Sequence, residues 1–194
     1  MILNPKKIPP MHKVCSKNHI YNEYIYFDNG YAIATNGNVY ICNSMFEIFE
    51  NFNINHKELL RDKIIHHKLW DVLTKSKTIK LISLNDTSAI KITGSDVQFS
   101  CSGINKSEDV ILPCFDVSML SYMPKLLEKI NYAQNTKNEY IDNIQFRSKD
   151  LRLVLDTLCE SSFVKFYFYD STKEIFVQNY TNQSYAIINP MFLK

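Results

Sequence analysis

The sequence predicts an α+β protein with antiparallel sheets, and three observations support this fold class. Short runs rich in β-branched and aromatic residues are separated by tight-turn signals. Stretches with the helical period of apolar residues precede two groups of three such runs. The same order of a helix, three strands and a closing tail therefore occurs twice. We expect two domains built from repeated αβββ half-units, the first over residues 1–114 and a shorter second over 115–194.

Composition and charge narrow the class of protein. The chain has 194 residues, 45% of them hydrophobic, with only 4 Gly and 6 Pro, which excludes a disordered or collagen-like chain. The net charge of +2 is too small for nucleic-acid binding by bulk charge, so any DNA contact must come from a local patch. Five irregularly spaced cysteines predict free thiols, and no apolar run approaches 18 residues. We expect a soluble cytoplasmic protein without a membrane span.

The first 62 residues begin without a helix and continue as a meander. Pro5, Pro9 and Pro10 predict an extended start and a loop, because proline lacks a backbone donor and clashes inside helices. Three strands are expected over 21–27, 31–35 and 38–42, with turns at Asn29-Gly30 and Asn36-Gly37. We expect an irregular crossover with a helical turn over 43–62.

A second unit follows the crossover. A helix is expected over 63–75, because Ile65, Leu69, Val72 and Leu73 fall on one helical face. The opposite face carries charged residues and histidines. Strands are expected over 78–84, 89–93 and 97–101, and a short extended piece over 110–113.

The third unit has the clearest helix. A helix over 117–130 and a polar loop over 131–143 lead to it. Ser148 is a candidate N-cap, and the spacing of Leu151, Val154 and Leu158 is helical. Three strands are expected over 163–169, 174–179 and 184–189. Alternation in the first of them sets Phe163, Tyr167 and Tyr169 opposite Val164, Phe166 and Phe168.

The closing tails of the two repeated units align with each other. Val110-Ile111-Leu112-Pro113-Cys114-Phe115 aligns with Ile187-Ile188-Asn189-Pro190-Met191-Phe192. The alternative is that two common αβββ units carry hydrophobic tails that align by chance.

These features resemble the bacterial-type DNA polymerase sliding clamp. Ala32-Ile33-Ala34-Thr35-Asn36-Gly37 is similar to the clamp's alanine-threonine-aspartate-glycine turn, with Asn36 in place of the aspartate. The segment Asn189-Pro190-Met191-Phe192-Leu193 is similar to the clamp's methionine-proline-methionine-arginine-leucine tail, with Phe192 in place of the arginine. The chain holds fewer domains than the three of a bacterial-type clamp chain, so a ring of six domains would require a homotrimer.

The resemblance implies a processivity factor that makes no bonds. It would encircle or contact double-stranded DNA and tether a DNA polymerase through a hydrophobic peptide-binding pocket. No catalytic residue, cofactor or metal is implied. The alternative is a clamp-fold adaptor or scaffold that binds protein partners without encircling DNA.

DNA contact by such a protein requires cations that project from helices toward phosphates. The candidate DNA-binding residues are Lys63, Lys68, Lys75, Lys77, Lys125, Lys129, Lys149 and Arg152. The alternative is an ordinary solvated helix face, since Asp71 and Asp156 dilute the charge.

By the same resemblance, the C-terminal segment would line the pocket for a partner peptide. The candidate residues are Ile187, Ile188, Pro190, Met191, Phe192 and Leu193. The alternative is that the final strand only completes a sheet, with alternate side chains in the core.

The residues that could bind a metal or act in catalysis do not form a complete motif in the sequence. His12, Cys15 and His19 offer three zinc ligands, but no motif supplies a fourth. Adjacent His66 and His67 are expected to point in different directions on a helix, which disfavours a catalytic pair. We therefore predict neither an enzyme nor a metal site.

Overall fold

The computed structural model describes most of both ends of the chain and part of its centre. The described residues are 2–3, 8–16, 20–50, 52–61, 63–75, 80–84, 90–93, 98–101, 145–159, 161–168 and 174–189. Within this part of the chain, no helix is long and apolar enough to cross a lipid bilayer.

The described elements are strands, α-helices and short 3₁₀ turns. The strands are β1 (Ile2–Leu3), β2 (Tyr24–Asp28), β3 (Tyr31–Thr35), β4 (Val39–Ser44), β5 (Phe49–Glu50), β6 (Lys63–His66), β7 (Lys80–Leu84), β8 (Ile90–Thr93), β9 (Gln98–Cys101), β10 (Val164–Tyr167), β11 (Ile175–Asn179) and β12 (Tyr185–Ile188). The helices are α1 (Met45–Ile48), α2 (Ile54–Leu60), α3 (His67–Lys75) and α4 (Ser148–Thr157), with 3₁₀ turns at Met11–Lys13 and Ile20–Glu23.

The strands form two antiparallel sheets that exchange their first strands. One sheet has the order β5-β1-β7-β8-β9, and the other has the order β10-β11-β12-β4-β3-β2-β6. Strand β1 pairs with the β7–β9 meander, whereas β6, which precedes that meander in the chain, pairs with the β2–β4 meander. Each of the first two units therefore contributes its leading strand to the sheet of the other. The α+β class with antiparallel sheets is confirmed.

The seven-stranded sheet joins the two ends of the chain. Strand β12 pairs antiparallel with β4, with Ala186 opposite Ile41 and Tyr185 opposite Cys42. Residues before and after the expected boundary at 114 thus belong to one sheet. The boundary itself lies outside the described residues.

The seven-stranded sheet is apolar on both faces. One face carries Ile25, Ala34, Ile41 and Val177, which pack with the helices into the helix-side core. The other face carries an aromatic cluster formed by Tyr26, Ile33, Cys42, Ile64, Phe176, Tyr185 and Ile187. Strand residues alternate between the two, as the period of two in a pleated strand requires.

Two local signals in the first half act as expected. Asn29 and Gly30 both have positive φ, 46° and 84°, which suits the tight turn between β2 and β3. Directly after Pro10 the chain forms the 3₁₀ turn Met11–Lys13, and Met11 within it is fully buried in the helix-side core. Among the described residues around Pro9 and Pro10, the chain thus provides a buried anchor rather than an α-helix.

Three expectations about elements are wrong. The expected helix over 63–75 is strand β6 followed directly by α3. Ile64 and Ile65 are buried on opposite faces of the sheet, which is the alternation of a strand and not of a helix. The N-cap of α4 is Arg147 rather than Ser148. The crossover over 43–62 contains α1, β5 and α2 rather than a single helical turn.

Several expected elements lie outside the described residues. These are the extended piece over 110–113, the helix over 117–130 and the loop over 131–143.

Candidate nucleic-acid interface

Helices α3 and α4 lie on the same face of the seven-stranded sheet. Trp70 and Leu73 of α3 and Val154 of α4 are buried in the helix-side core. The Trp70 indole N–H also donates to the Pro9 carbonyl oxygen at 2.8 Å, which ties α3 to the N-terminal segment. Since both helices bury their apolar sides against one sheet face, their polar sides form the outer layer of the molecule there.

This outer layer carries exposed cations. Lys68 and Lys75 of α3 and Lys149 and Arg152 of α4 are exposed, and so is Lys13 in the 3₁₀ turn that contacts both helices. We call these five residues the basic layer. Asp156 of α4 is also exposed and reduces the net charge.

Ion pairs modify the basic layer at both helices. The Lys75 Nζ lies 2.5 Å from the Asp71 carboxylate, and this hydrogen bond holds the pKa of Asp71 below its ordinary value of 3.8. At the start of α4, Arg147 Nε donates to the buried Asp150 carboxylate at 2.7 Å. Lys68, Lys149 and Arg152 have no ion pair among the described residues.

The structure brings four of the eight candidate DNA-binding residues onto one layer: Lys68, Lys75, Lys149 and Arg152. Lys63 belongs to β6 and not to a helix, so its expected place on a helix face is corrected. Lys77, Lys125 and Lys129 lie outside the described residues.

The candidate peptide-binding residues are divided between the two faces of β12 and an undescribed tail. Ile187 is buried in the aromatic cluster, and Ile188 is buried in the helix-side core. The two side chains therefore cannot face one pocket. Pro190, Met191, Phe192 and Leu193 lie outside the described residues, so their part in a pocket stays a prediction.

The expected aromatic face of β10 is only partly exposed. Phe163 is 76% exposed, whereas Tyr167 packs against the aromatic cluster and donates its hydroxyl to Gln178 at 2.8 Å. Val164 and Phe166 pack against the helix-side core, as the alternation predicts. Tyr169 lies outside the described residues.

The orientation expected for the adjacent histidines is wrong. The rings of His66 and His67 lie 4.3 Å apart between centroids, at an interplanar angle of 34°. Their closeness arises because the backbone changes from strand to helix between them. The Glu23 side chain completes a group of three titratable side chains at this junction.

The zinc ligands considered from the sequence do not assemble in the described part of the chain. The Cys15 thiol lies 3.8 Å from the backbone oxygens of Met11 and Tyr24, and burial raises its pKa to about 12. His12 instead pairs with Asp71 at 3.2 Å. His19 lies outside the described residues.

Sequence reasoning missed two participants in these arrangements. Lys13 follows three prolines, so no helical period in the sequence places it on a helix face; the apolar Met11 in the same turn is the available signal. Glu23 approaches the histidines only through the pairing of β2 with β6, a long-range contact without a local pattern.

The chain has the fold of DNA sliding clamps, because solved structures of such clamps match it over its whole length. No protein-family model and no curated protein sequence matches it.

Two bacterial DNA polymerase III β subunits and one PCNA illustrate the likeness. The β subunit of Thermotoga maritima matches with a TM-score of 0.55 at 12% identity, covering 100% of this chain and 64% of its own. The β subunit of Pseudomonas aeruginosa matches with a TM-score of 0.50 at 14% identity, covering 100% and 66%. The PCNA of A. fulgidus, solved with the C-terminal region of FEN-1, matches with a TM-score of 0.50 at 10% identity, covering 100% and 98%.

The chain therefore spans just under two thirds of the bacterial subunits but nearly the full length of the PCNA chain.

Proposed function

We propose that this protein is a DNA sliding clamp-like processivity factor without enzymatic activity. It contacts or encircles duplex DNA through the basic layer and tethers a polymerase or another clamp-binding protein. The observation that carries the proposal is the basic layer itself, in which two helices of a clamp fold present cations from one sheet face. Cations on rigid helices contact phosphates without reading sequence, as a sliding protein requires.

The ring is the geometric part of the proposal. The match to a PCNA chain spans 98% of that chain, and we propose that three copies of this chain assemble into a ring.

The tether is the recognition part of the proposal. The PCNA neighbour was solved with the C-terminal region of FEN-1 bound, which supports a peptide-binding role for this chain's clamp fold. In this chain we assign that role to the segment around Pro190, Met191, Phe192 and Leu193. Flexible methionine and apolar side chains suit a shallow pocket that accepts short hydrophobic motifs.

Salt-dependent binding to a duplex tests the basic layer. The variant carries alanine at Lys68, Lys75, Lys149 and Arg152, and the matched control is Lys165→Ala. Lys165 is an exposed cation of β10 whose neighbours Val164 and Phe166 pack toward the helix-side core, so it faces away from the basic layer. The logarithm of the binding constant falls with the logarithm of the salt concentration, and each lost phosphate contact reduces the magnitude of this slope by about 0.9.

We expect the fourfold variant to lose most of the slope and at least tenfold in affinity, with the control unchanged. Equal loss in both proteins, or no loss in either, would contradict the proposed DNA face.

Light scattering of the unaltered protein tests the ring by measuring the molar mass. Three times 22.7 kDa, with retention on closed circular but not linear DNA, supports the ring. A monomer with partner binding and no retention favours the adaptor.

A further inference from the structure

We propose that Glu23, His66 and His67 form a binding site for a divalent metal ion of the zinc class. One ligand atom from each residue lies within 4.8 Å of those of the other two. The three side chains are half-buried at the junction of β2, β6 and α3. Lys68 of the basic layer follows His67 directly, but its side chain is not one of the three proposed ligands, and the proposal does not depend on contacts with DNA.

The backbone holds the three ligands in fixed relative positions. Strands β2 and β6 pair with Tyr24 opposite His66. Glu23 directly precedes Tyr24, so the sheet register brings it next to His66. His66 is the last residue of β6, and His67 is the first residue of α3. The Tyr24 ring packs edge-on against His66 with centroids 5.3 Å apart, which limits the rotation of that imidazole. A site supported by paired strands and a helix loses little conformational entropy on binding an ion.

The tautomer of His67 is suited to metal binding. Its Nδ1 lies 3.0 Å from the Glu23 carbonyl oxygen. A carbonyl oxygen only accepts hydrogen bonds, so Nδ1 carries the hydrogen and the neutral ring presents the lone pair at Nε2. Histidines that ligate metals are typically oriented in this way by a backbone carbonyl.

His66 must change its tautomer to bind the ion. The Lys68 backbone N–H donates to His66 Nδ1 at 3.2 Å, so the neutral ring carries its hydrogen on Nε2 and points it toward the Glu23 carboxylate at 3.3 Å. When the ion takes both the Nε2 lone pair and the carboxylate, the ring remains neutral only if its hydrogen moves to Nδ1. That movement breaks the bond to the Lys68 amide, which makes this amide a reporter of metal uptake.

The ligand set identifies the class of ion. Two imidazole nitrogens and one carboxylate oxygen are a known zinc ligand set that leaves the fourth tetrahedral position to water. Calcium and magnesium favour oxygen ligands, so this set discriminates against them. The side chains of His66 and Glu23 are 24% and 30% exposed, which gives an ion access from solvent.

Zinc titration of the full-length chain tests the site. Calorimetry measures stoichiometry and affinity for Zn²⁺ alone, after treatment with a chelator and at a pH where histidine is neutral. The variants are His66→Gln, His67→Gln and Glu23→Gln, which replace each ligand with an uncharged side chain of similar reach. The matched control is His12→Gln, because His12 is also half-buried but pairs with Asp71 outside the group. Cys15→Ser checks for capture by a thiol.

We expect one Zn²⁺ per chain, at least tenfold weaker binding in each ligand variant, and unchanged binding in His12→Gln and Cys15→Ser. ¹⁵N NMR of the unaltered chain gives a readout that does not depend on the folding of variants. Zinc should shift the ring nitrogens of His66 and His67 and the Lys68 amide while leaving His12 in place. Zinc binding that persists in the ligand variants, zinc-dependent shifts only at other residues, or no binding at micromolar Zn²⁺ would overturn the proposal.

Discussion

His12 shows how one residue couples stability to pH. Its Nε2 lies 3.2 Å from Asp71, but burial outweighs that attraction and lowers the pKa of His12 below its ordinary value of 6.5. Lys13, Lys75 and His67 lower it further by repulsion between like charges. The unfolded chain therefore takes up a proton near pH 6.5, whereas the folded chain resists doing so until a lower pH.

The free energy of unfolding should fall as the pH drops below 6.5 toward the folded pKa of His12. The contribution of Asp71 has the same sign in a lower window. Its pKa is depressed below 3.8, so the stability it provides above that value is lost as the pH falls through the folded pKa.

The test for His12 compares urea unfolding of the unaltered chain and His12→Gln at pH 7.5 and 5.5. The glutamine does not titrate, so we expect the variant to lose less stability between the two pH values. An identical loss in both proteins would assign the pH dependence to other groups.

At the scale of elements, the Asn43 side chain joins β4 to the end of α4. Its Nδ2 donates to the Thr157 carbonyl oxygen at 2.8 Å, and its Oδ1 accepts from the Cys159 N–H at 2.7 Å. Asn43 is fully buried, so Asn43→Ala removes two buried hydrogen bonds to the backbone. We expect the free energy of unfolding to fall by about 2–4 kcal/mol, measured by urea denaturation.

The control for Asn43 is Asn38→Ala, an exposed asparagine in the turn before β4. This substitution should change stability by less than about 0.5 kcal/mol. A comparable loss at both positions would show that the β4–α4 contact contributes no more than a solvent-exposed turn.

The sequence predicted elements where local pattern and burial agree. The bounds of β3 match the expected strand, because Tyr31–Thr35 lies between two turn signals and alternates on a sheet buried on both faces. The prediction of one helix over 63–75 was wrong because Ile65 fits both a helical face with Leu69 and a strand paired with β2. Only the long-range pairing of Ile65 with Ile25 distinguishes the two. Local period cannot distinguish these two states for a run of four residues.

The sequence predicted which cations of the candidate site lie on helices, but not that these helices lie on the same face of one sheet. Lys68, Lys149 and Arg152 stand on polar sides of helices whose apolar period is visible in the sequence. That α3 and α4 share one sheet face depends on the pairing of β12 with β4, which joins residues far apart in the chain. The Glu23 group was missed for the same reason, since its geometry follows from sheet register rather than from sequence spacing.

At the scale of the whole molecule, the seven-stranded sheet depends on both ends of the chain. Val39 and Ile41 of β4 are fully buried in the helix-side core, together with Val154, Val177 and Ile188 from the C-terminal region. Removing the C-terminal region would expose this apolar surface and leave β4 as an unpaired edge. An exposed apolar edge strand favours aggregation over folding.

We therefore expect a fragment of residues 1–114 to lack a stable fold of its own, although that range is the predicted first domain. Its far-ultraviolet circular dichroism should show reduced strand content, and its ¹H–¹⁵N spectrum should be poorly dispersed. The matched test adds residues 145–194 as a separate chain. Recovery of dispersion on mixing would show that β4 and β12 complete one another across the break. A fragment that alone melts cooperatively at the temperature of the intact chain would instead show that the helix-side core closes without α4 and β10–β12, and that the predicted domains fold independently.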